Sequence, residues 1–312
     1  MRVAALIVAA AALAGCGEAE ERRAAPRPVA PLQEPPRVRA RPAPVATPAV
    51  PAAARRAAAA LAIEERVARV FLAGVDGPEP VRAWGAVLLE PEDVAVGLAD
   101  PESAPPLVVA TEPRPEAQLL LGPSADVPIG EEPDAVVAAL RRELRASAVP
   151  LAPGHFPGQG AATQDPLDGP SVVGLPLELL RERDLAPWRA IAGRVPAVVV
   201  SSAAFTAFDP VTPAALNPDV VGGLLRGEIG FSGAAVTDDL AGAAAVGATS
   251  IGTAAVSALR AGSDLLQVRD PVEAEAAYEA VLAAVRSGEV PAGRLTEAAA
   301  RVLALASAVS GA

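Results

Sequence analysis

The sequence predicts an α/β fold, a (β/α)8 TIM-type barrel, because short apolar runs alternate with helical patterns from about residue 57 onward. Eight such runs lie within about 250 residues, the usual length of a barrel with eight parallel strands and a helix after each strand. A doubly wound open sheet is the alternative, since the same periodicity is compatible with both arrangements.

The eight candidate strands are short and apolar, as expected for strands that are covered on both faces. They lie at Val70–Val75, Gly85–Leu89, Leu107–Thr111, Leu119–Gly122, Val149–Ala152, Ala197–Ser201, Ala234–Thr237 and Asp264–Val268. The third and fourth runs stand much closer together than a parallel crossover usually allows, which is about a dozen residues or more. We therefore expect an irregular barrel that lacks a helix between strands 3 and 4.

The helical patterns are clearest in the C-terminal part of the chain. Pro133-Asp134 is typical of a helix start, and Gly288 of a helix end. The predicted helices are Leu61–Arg69, Asp134–Ala146, Leu177–Arg183, Asp219–Arg226, Thr253–Ala261, Val272–Ser287 and Leu295–Ala308.

The N-terminus has the layout of a secretory signal: Arg2, an apolar run, and then Leu13-Ala14-Gly15-Cys16. The run is too short to span a bilayer. The last four residues resemble the lipobox of bacterial lipoproteins, which implies cleavage before Cys16 and a lipid on its sulfur. The alternatives are an ordinary signal peptide with an incidental cysteine, or a short buried helix. We expect a signal peptide over 1–16 and a lipid-anchored protein of the cell envelope, outside the cytoplasm.

Residues 17–56 are rich in Pro, Ala, Arg and Glu and contain few large apolar residues, which predicts a disordered tether before a domain over 57–312. Cys16 is the only cysteine, so no disulfide framework is expected. The net charge is −11. This charge argues against a nucleic-acid partner, because phosphate binding needs a basic surface.

Catalytic residues of such barrels lie at the carboxyl ends of the strands. Those ends carry Glu112, Asp126, His155, Ser202 and the adjacent pair Asp238 and Asp239. Two stretches stand out among them. One is the glycine-rich loop GHFPGQG at 154–160, which holds the only histidine of the chain, and the other is the apolar strand before TDDL at 237–240.

These stretches resemble glycoside hydrolase family 3, in its bacterial β-N-acetylhexosaminidase branch. GHFPGQG is similar to the family's KHFPGHG loop, and LLRGEIGF at 224–231 followed by TDDL is similar to its LLRGELGF…TDDL segment. PAAL at 213–216 and AGSDLL at 261–266 match two further family segments. The resemblance covers about 57–308, strongly after Gly154.

The resemblance implies that Asp238 is the nucleophile of a retaining glycosidase and that Asp239 is its structural partner. The family's acid/base histidine is replaced by Leu167, so Asp165 and Asp168 are the candidate acid/base residues. His155, Gln159, Glu112 and Asp126 are the candidate substrate contacts. The family's lysine before the histidine is Gly154 here.

Two hypotheses of function follow. The first is an exported retaining glycosidase that cleaves β-linked N-acetylhexosamine in cell-wall-type glycans. It needs no metal or organic cofactor, and neither a nucleotide-binding glycine loop nor a metal-ligand spacing is present. The second, motivated by the replaced histidine and lysine, is a catalytically degenerate relative that binds glycan or serves as an envelope structural protein.

Overall fold

The computed structural model describes residues 50–74, 82–90 and 106–310. The predicted signal peptide, the lipobox with Cys16 and most of the tether lie outside the described residues. The described part contains all eight predicted strands and three short additional ones. The strands are β1 Phe71–Gly74, β2 Ala86–Leu89, β3 Leu107–Ala110, β4 Leu119–Ser124, β5 Leu151–Gly154, β6 Val172–Val173, β7 Ala197–Val200, β8 Ala204–Phe205, β9 Asp209–Pro213, β10 Ala234–Thr237 and β11 Leu266–Val268.

The main sheet is parallel and curled, with the strand order β11-β1-β2-β3-β4-β5. Strands β7 and β10 form a separate parallel pair. Single bridges join this pair to the main sheet on both sides, at Phe156↔Val200 and Val236↔Leu265. The fold is therefore TIM-barrel-like, as predicted, but the sheet is a curled half-barrel plus a strand pair and not a clear closed barrel.

Three helices, Ala52–Ala60, Leu185–Ile191 and Leu240–Val246, were not predicted from the sequence, and six others overlap predicted helices; together they make nine α-helices in the described residues. They are α1 Ala52–Ala60, α2 Ile63–Ala68, α3 Pro133–Ala146, α4 Leu177–Leu179, α5 Leu185–Ile191, α6 Leu240–Val246, α7 Ile251–Ala261, α8 Pro271–Ser287 and α9 Ala292–Ser310. Two segments are π-helical: Leu180–Asp184 and Asp219–Glu228. Residues 111–118 connect β3 to β4 through turns without a helix, in line with the short spacing of the two runs.

The domain begins earlier than the sequence predicts. Helix α1 starts at Ala52, inside the stretch assigned to the tether, and packs against α9. Alternate residues of the strands face two different parts of the core, as the pleat requires. Leu72 and Leu88 face the interior cluster with Val199 and Val236. Phe71 and Ala73, on either side of Leu72, pack against the surrounding helices.

In the described part of the chain, no single helix is both long enough and apolar enough to cross a membrane. Only α6 and α7 taken together meet that test, and their axes bend by 100° at the short break between them.

Candidate active site

A cavity of about 200 Å³ opens at the carboxyl ends of the parallel strands. Its lining includes Asp238 after β10, His155 after β5 and Arg269 after β11. Strand β4 contributes Ser124, and Thr111 follows β3. The position is the one at which barrel enzymes hold their substrates.

A larger cavity of about 510 Å³ opens elsewhere, at the amino ends of β5 and β7. Among the described residues that line it, Arg194 is the only ionisable one. Its wall is mainly apolar; its one hydroxyl side chain, Ser147, donates to the carbonyl of Val149, and no acid or base that could activate this hydroxyl is among the described residues of the lining. We therefore take the smaller cavity as the candidate active site.

The two adjacent aspartates after β10 have different surroundings. Asp238 lines the cavity, and its Oδ1 accepts a hydrogen bond of 2.8 Å from the backbone N–H of Asp239. The backbone N–H of Asp238 donates to the carbonyl of Val200 on β7, which fixes its position. Asp239 turns to α6, where its Oδ1 accepts from the N–H of Ala241 and caps the helix. The capping role thus belongs to Asp239, and the carboxylate of Asp238 is left for the cavity.

The pKa of Asp238 reflects two opposed influences. Burial raises it, while the positive charges of His155 and Arg269 and the hydrogen bond from the Asp239 N–H act to lower it. The net direction is upward. Ionised Asp238 therefore depends on the two cations that line the same cavity.

His155 and Asp126 form a hydrogen-bonded ion pair. The Nδ1 of His155 lies 2.9 Å from Asp126 Oδ2, and its backbone N–H donates to Oδ1 over 3.2 Å. Burial lowers the pKa of His155, but the hydrogen bond and the charge of Asp126, with Asp238 and Asp165 farther away, outweigh burial and raise it to about 9. His155 is therefore a cation at neutral pH. Its Nδ1–H is taken by Asp126, which leaves Nε2–H for a ligand.

The loop at 154–160 is held in place by bonds to several neighbouring elements. Phe156 pairs with β7 through the carbonyl of Val199 and the N–H of Ser201, and the indole N–H of Trp188 donates to the carbonyl of Pro157 over 2.9 Å. The peptide bonds Gly154–His155 and Phe156–Pro157 are both cis. A Cβ on Gly160 would lie 2.1 Å from the carbonyl oxygen of Val127, so only glycine fits there.

Gln159 and Asp126 are engaged inside the protein and do not line the cavity. The backbone N–H of Gln159 donates to Asp126 Oδ1 over 2.5 Å, and its side-chain oxygen accepts from the hydroxyl of Ser201. Asp126 also accepts from the Ser124 hydroxyl. Neither of these two predicted substrate contacts therefore lines the cavity, and Asp126 acts on it only through its bond to His155.

Glu112 lies in the exposed turn after β3, and Thr111 occupies the cavity wall in its place. Asp165 and Asp168 lie in an exposed loop, where the N–H of Asp168 donates to the carbonyl of Asp165 and the Leu167 N–H to its Oδ1. The charge of Asp165 influences the pKa of both His155 and Asp238, and no such influence of Asp168 is resolved. Of the two candidates, Asp165 is the one electrostatically connected to the cavity.

Four polar cavity residues were absent from the sequence-based set of candidate site residues: Thr111, Ser124, Gln267 and Arg269. The rule that found the others also points to Arg269, which directly follows the predicted eighth strand. Gln267 lies within that strand, and nothing in an apolar strand pattern distinguishes an inward-facing glutamine before the fold is known.

The chain is similar in sequence to curated glycosidases. The Glycosyl hydrolase family 3 N terminal domain matches residues 131–305. A β-hexosaminidase of Xylella fastidiosa (strain 9a5c) is 29% identical over 238 residues, covering 71% of this chain and 70% of that protein. A β-hexosaminidase of Alkalilimnicola ehrlichii is 36% identical over 126 residues, covering 38% of this chain and 34% of that protein.

Solved structures show the same relationship. The family 3 β-N-acetylglucosaminidase of Paenibacillus sp. FPU-7 superposes with a TM-score of 0.70 at 25% identity, covering 80% of this chain and 64% of that one. The β-N-acetylhexosaminidase of Beutenbergia cavernae, at 24% identity, shares the fold with a TM-score of 0.69 and covers 79% of this chain.

A carboxylate-bearing cavity at the carboxyl ends of a TIM-barrel-like sheet places the chain in the class of barrel proteins with a candidate active site at that end of the sheet. Because the family profile matches more than half of its residues, the chain belongs to glycosyl hydrolase family 3. The chain spans 34% of the Alkalilimnicola ehrlichii protein and 64% of the Paenibacillus chain, and so covers only part of the length of these relatives.

Proposed function

We propose that this protein is a retaining glycoside hydrolase that releases β-linked N-acetylhexosamine from cell-wall-type glycans. The proposal depends on one observation: Asp238 presents its carboxylate to the cavity while Asp239 is engaged in capping α6. The cavity of about 200 Å³ is smaller than a drug-sized pocket, which suits a single sugar ring.

In the proposed reaction, a carboxylate oxygen of Asp238 attacks the anomeric carbon as the bond to the leaving oxygen breaks. A general acid supplies the proton that the leaving oxygen takes up. Water then attacks the glycosyl-enzyme, loses its proton to the same group acting as a base, and releases the sugar and the Asp238 carboxylate. His155 and Arg269 keep the attacking carboxylate ionised.

We assign the acid/base role to Asp165. Its loop contacts the start of α6, where Pro166 and Leu167 lie close to Gly242, four residues after Asp238. Its charge influences the pKa of Asp238 and His155. Asp168 is the matched alternative, three residues farther along the same loop.

The nucleophile is tested by trapping. The full chain is incubated with 5-fluoro-N-acetyl-β-glucosaminyl fluoride, whose leaving group needs no acid, and the intact mass is measured. We expect one glycosyl adduct on a peptide containing Asp238, and none in Asp238→Ala. Asp239→Asn serves as the neighbouring control. An active enzyme whose adduct forms on another residue would remove Asp238 from this role.

The acid/base is tested with leaving groups of different quality. Loss of general acid catalysis costs about 10²–10⁴ in rate when the leaving group is poor. We expect Asp165→Asn to slow chitobiose hydrolysis by that amount while the glycosyl fluoride is still cleaved at its first step. Asp168→Asn should behave as wild type; the reverse result would transfer the role to Asp168.

A catalytically degenerate glycan-binding protein is the second candidate. It is favoured by Leu167, which stands in the loop where the family has its acid/base histidine and is exposed in the structure. Failure of the trapping experiment together with measurable binding of N-acetylglucosamine would support this candidate.

Export and anchoring through Cys16 form a separate part of the proposal, supported by the order of charge, apolar run and lipobox at the N-terminus. Metabolic labelling with an alkyne fatty acid in a bacterial host tests it. Wild type should incorporate the label and sediment with membranes, whereas Cys16→Ser should do neither.

A further inference from the structure

Arg269 stands on the wall of the candidate active site without an assigned role. It directly follows β11 and lines the cavity together with Asp238 and His155. Its side chain is 43% exposed, so the guanidinium is accessible from the cavity and not sealed in the core. A cation at this point is able to contact whatever lies over Asp238.

Only one edge of the guanidinium is occupied. The Nε of Arg269 lies 3.4 Å from Glu90 Oε1 and 3.5 Å from Asp239 Oδ2. Among the residues that the structure describes, none accepts a hydrogen bond from its terminal nitrogens Nη1 and Nη2. A guanidinium presents its donors as a rigid planar fork, so this outer edge is arranged to donate to two neighbouring acceptors.

The backbone of Arg269 is held tightly. Strand β11 pairs with β1 through Ala73↔Val268, immediately before it. At the end of β1, a Cβ on Gly74 would lie 1.8 Å from the Arg269 carbonyl oxygen, so the close approach of the two chains requires glycine. The side chain therefore starts from a rigid position, which is what a precise ligand contact needs.

The surrounding charges decide what kind of group the fork accepts. Glu90 and Asp239 already balance the positive charge of Arg269, and Asp238 adds a negative charge to the same cavity. The Asp238 carboxylate would repel an anionic ligand. It would not repel a neutral hydroxyl or amide oxygen, which can accept a hydrogen bond from the guanidinium. A neutral sugar fits this arrangement better than a uronic acid or another acidic sugar.

We propose that Arg269 is a substrate-contacting residue whose Nη1 and Nη2 donate hydrogen bonds to oxygen acceptors of the neutral sugar bound over Asp238. This inference rests on the proposed function, because it takes the cavity to be a sugar site. The acceptors are hydroxyl or acetamido oxygens of a neutral hexosamine. Arg269 thereby selects for the oxygen pattern of the sugar.

The test compares Arg269→Met and Arg269→Lys in the full chain, with Arg260→Met as the control. Arg260 is an exposed arginine on α7 that pairs with Glu289. Measurements are the dissociation constant of N-acetylglucosamine, and kcat and KM for 4-nitrophenyl N-acetyl-β-glucosaminide. Losing two hydrogen bonds predicts an affinity weaker by about 10- to 100-fold, and a higher KM, for Arg269→Met.

Arg269→Lys distinguishes a contact from a charge effect. Lysine keeps the charge but cannot present the planar fork, so its affinity should fall nearly as far as that of Arg269→Met. The acid limb of kcat/KM should move to higher pH in Arg269→Met and stay in place in Arg269→Lys, because only the former removes a charge near Asp238. Melting temperatures should match that of the wild type.

Affinity fully restored in Arg269→Lys, or unchanged in Arg269→Met, would overturn the inference. So would an Arg269-dependent preference for glucuronic acid over N-acetylglucosamine. If the wild type cleaves the substrate and Arg269→Met has the same affinity and KM, the inference about Arg269 is wrong and the proposed function stands. If sugar binding depends on Arg269 but no adduct forms on Asp238, the sugar contact stands and the proposed hydrolysis is wrong. A wild type that neither binds nor cleaves the sugar removes both.

Discussion

At the scale of single residues, the chemistry of this site depends on two arrangements of charged side chains: the separation of Asp238 from Asp239, and the pairing of His155 with Asp126. Asp238 and Asp239 are neighbours in sequence, but their side chains leave the strand end in different directions, one to the cavity and one to α6. His155 and Asp126 are 29 residues apart in the chain and form one ion pair. The different directions of Asp238 and Asp239 can be expected from their adjacent positions in the sequence. The pairing of His155 with Asp126 depends on the fold, because it requires β4 and β5 to lie side by side.

The His155–Asp126 pair predicts a loss of stability at alkaline pH. The folded pKa of His155, about 9, lies above its ordinary value of 6.5. The pair therefore stabilises the fold fully below pH 6.5, and this stabilisation disappears as the pH rises through 9. Relative to His155→Gln, the wild type should lose about 1–2 kcal/mol of unfolding free energy over this range, allowing for partial exposure.

Urea denaturation at both ends of that range measures the difference. The chain has a single histidine, so the variant isolates this one titration. If wild type and His155→Gln show parallel pH dependences, the pair does not raise the pKa as described.

Asp184 predicts a pH dependence through a different cause. It is fully buried behind Gly158, neither carboxylate oxygen has a hydrogen-bond partner among the described residues, and Arg183 is 3.8 Å away. Burial, with a smaller contribution from Asp126, raises its pKa to about 6. Because a raised carboxyl pKa penalises the ionised folded state, stability is lost as the pH rises toward and through 6.

Asp184→Asn should therefore be more stable than the wild type at about pH 8, and the difference should shrink as the pH falls through the ordinary carboxyl range. Thermal melts at several pH values provide the measurement, with the exposed Asp168→Asn as the matched control. A variant that is less stable than the wild type at pH 8 would show that Asp184 makes a favourable ionic contact instead.

At the scale of elements, a buried ionic cluster connects parts of the chain that are distant in sequence. Asp264, before β11, accepts from Arg226 of the π-helical segment over 2.6 Å and from Arg294 of α9 over 2.8 Å, and Arg301 lies 3.7 Å away. The N–H of Ala235 in β10 donates to the same carboxylate. The LLRGE and AGSD segments, which carry the family resemblance, are therefore joined by the ion pair between Arg226 of the first and Asp264 of the second.

Asp264→Asn should destabilise the fold strongly. It would leave the buried guanidinium of Arg226 without its counter-charge, while Arg294 and Arg301 would keep their ion pairs with Glu297. Breaking a buried ion pair from one side typically costs about 3–5 kcal/mol. Chemical denaturation measures the effect. Glu289→Gln, which breaks the exposed pair with Arg260, should change stability by less than about 0.5 kcal/mol. Equal effects of the two substitutions would contradict the structural role of the cluster.

The parallel strands were predictable from the sequence because buried strands consist of short apolar runs. All eight strands lie where the apolar runs predict them, and the absence of a helix after β3 follows from the spacing alone. Helix α1 was missed because AAARRAAAA carries no apolar face to read, although alanine favours helices. Its end is stabilised from outside: the Arg66 guanidinium donates to the carbonyls of Ala58, Ala59 and Leu61.

At the scale of the whole molecule, the net charge of −11 determines how charged ligands approach. A neutral glycan is neither attracted nor repelled by this net charge. Its kcat/KM, measured with a neutral N-acetylglucosaminide, should therefore change little between about 50 and 500 mM salt. An acidic glycan should be repelled at low salt and cleaved faster as salt screens the repulsion. Steady-state rates over this salt range check both statements; faster turnover of the acidic glycan at low salt would contradict them.

The sequence alone predicted the eight parallel strands, six of the nine α-helices in the described part, the family, and the place of Asp238 after a strand, because these depend on local patterns and on motifs that are contiguous in the chain. The tertiary structure decided which residues share the cavity. Arg269 joins Asp238 because β11 and β10 adjoin, Asp126 joins His155 because β4 pairs with β5, and Gln159 and Glu112 are excluded from it. The physical reason is that side-chain direction and strand adjacency depend on long-range packing, which a linear pattern of residues does not encode locally.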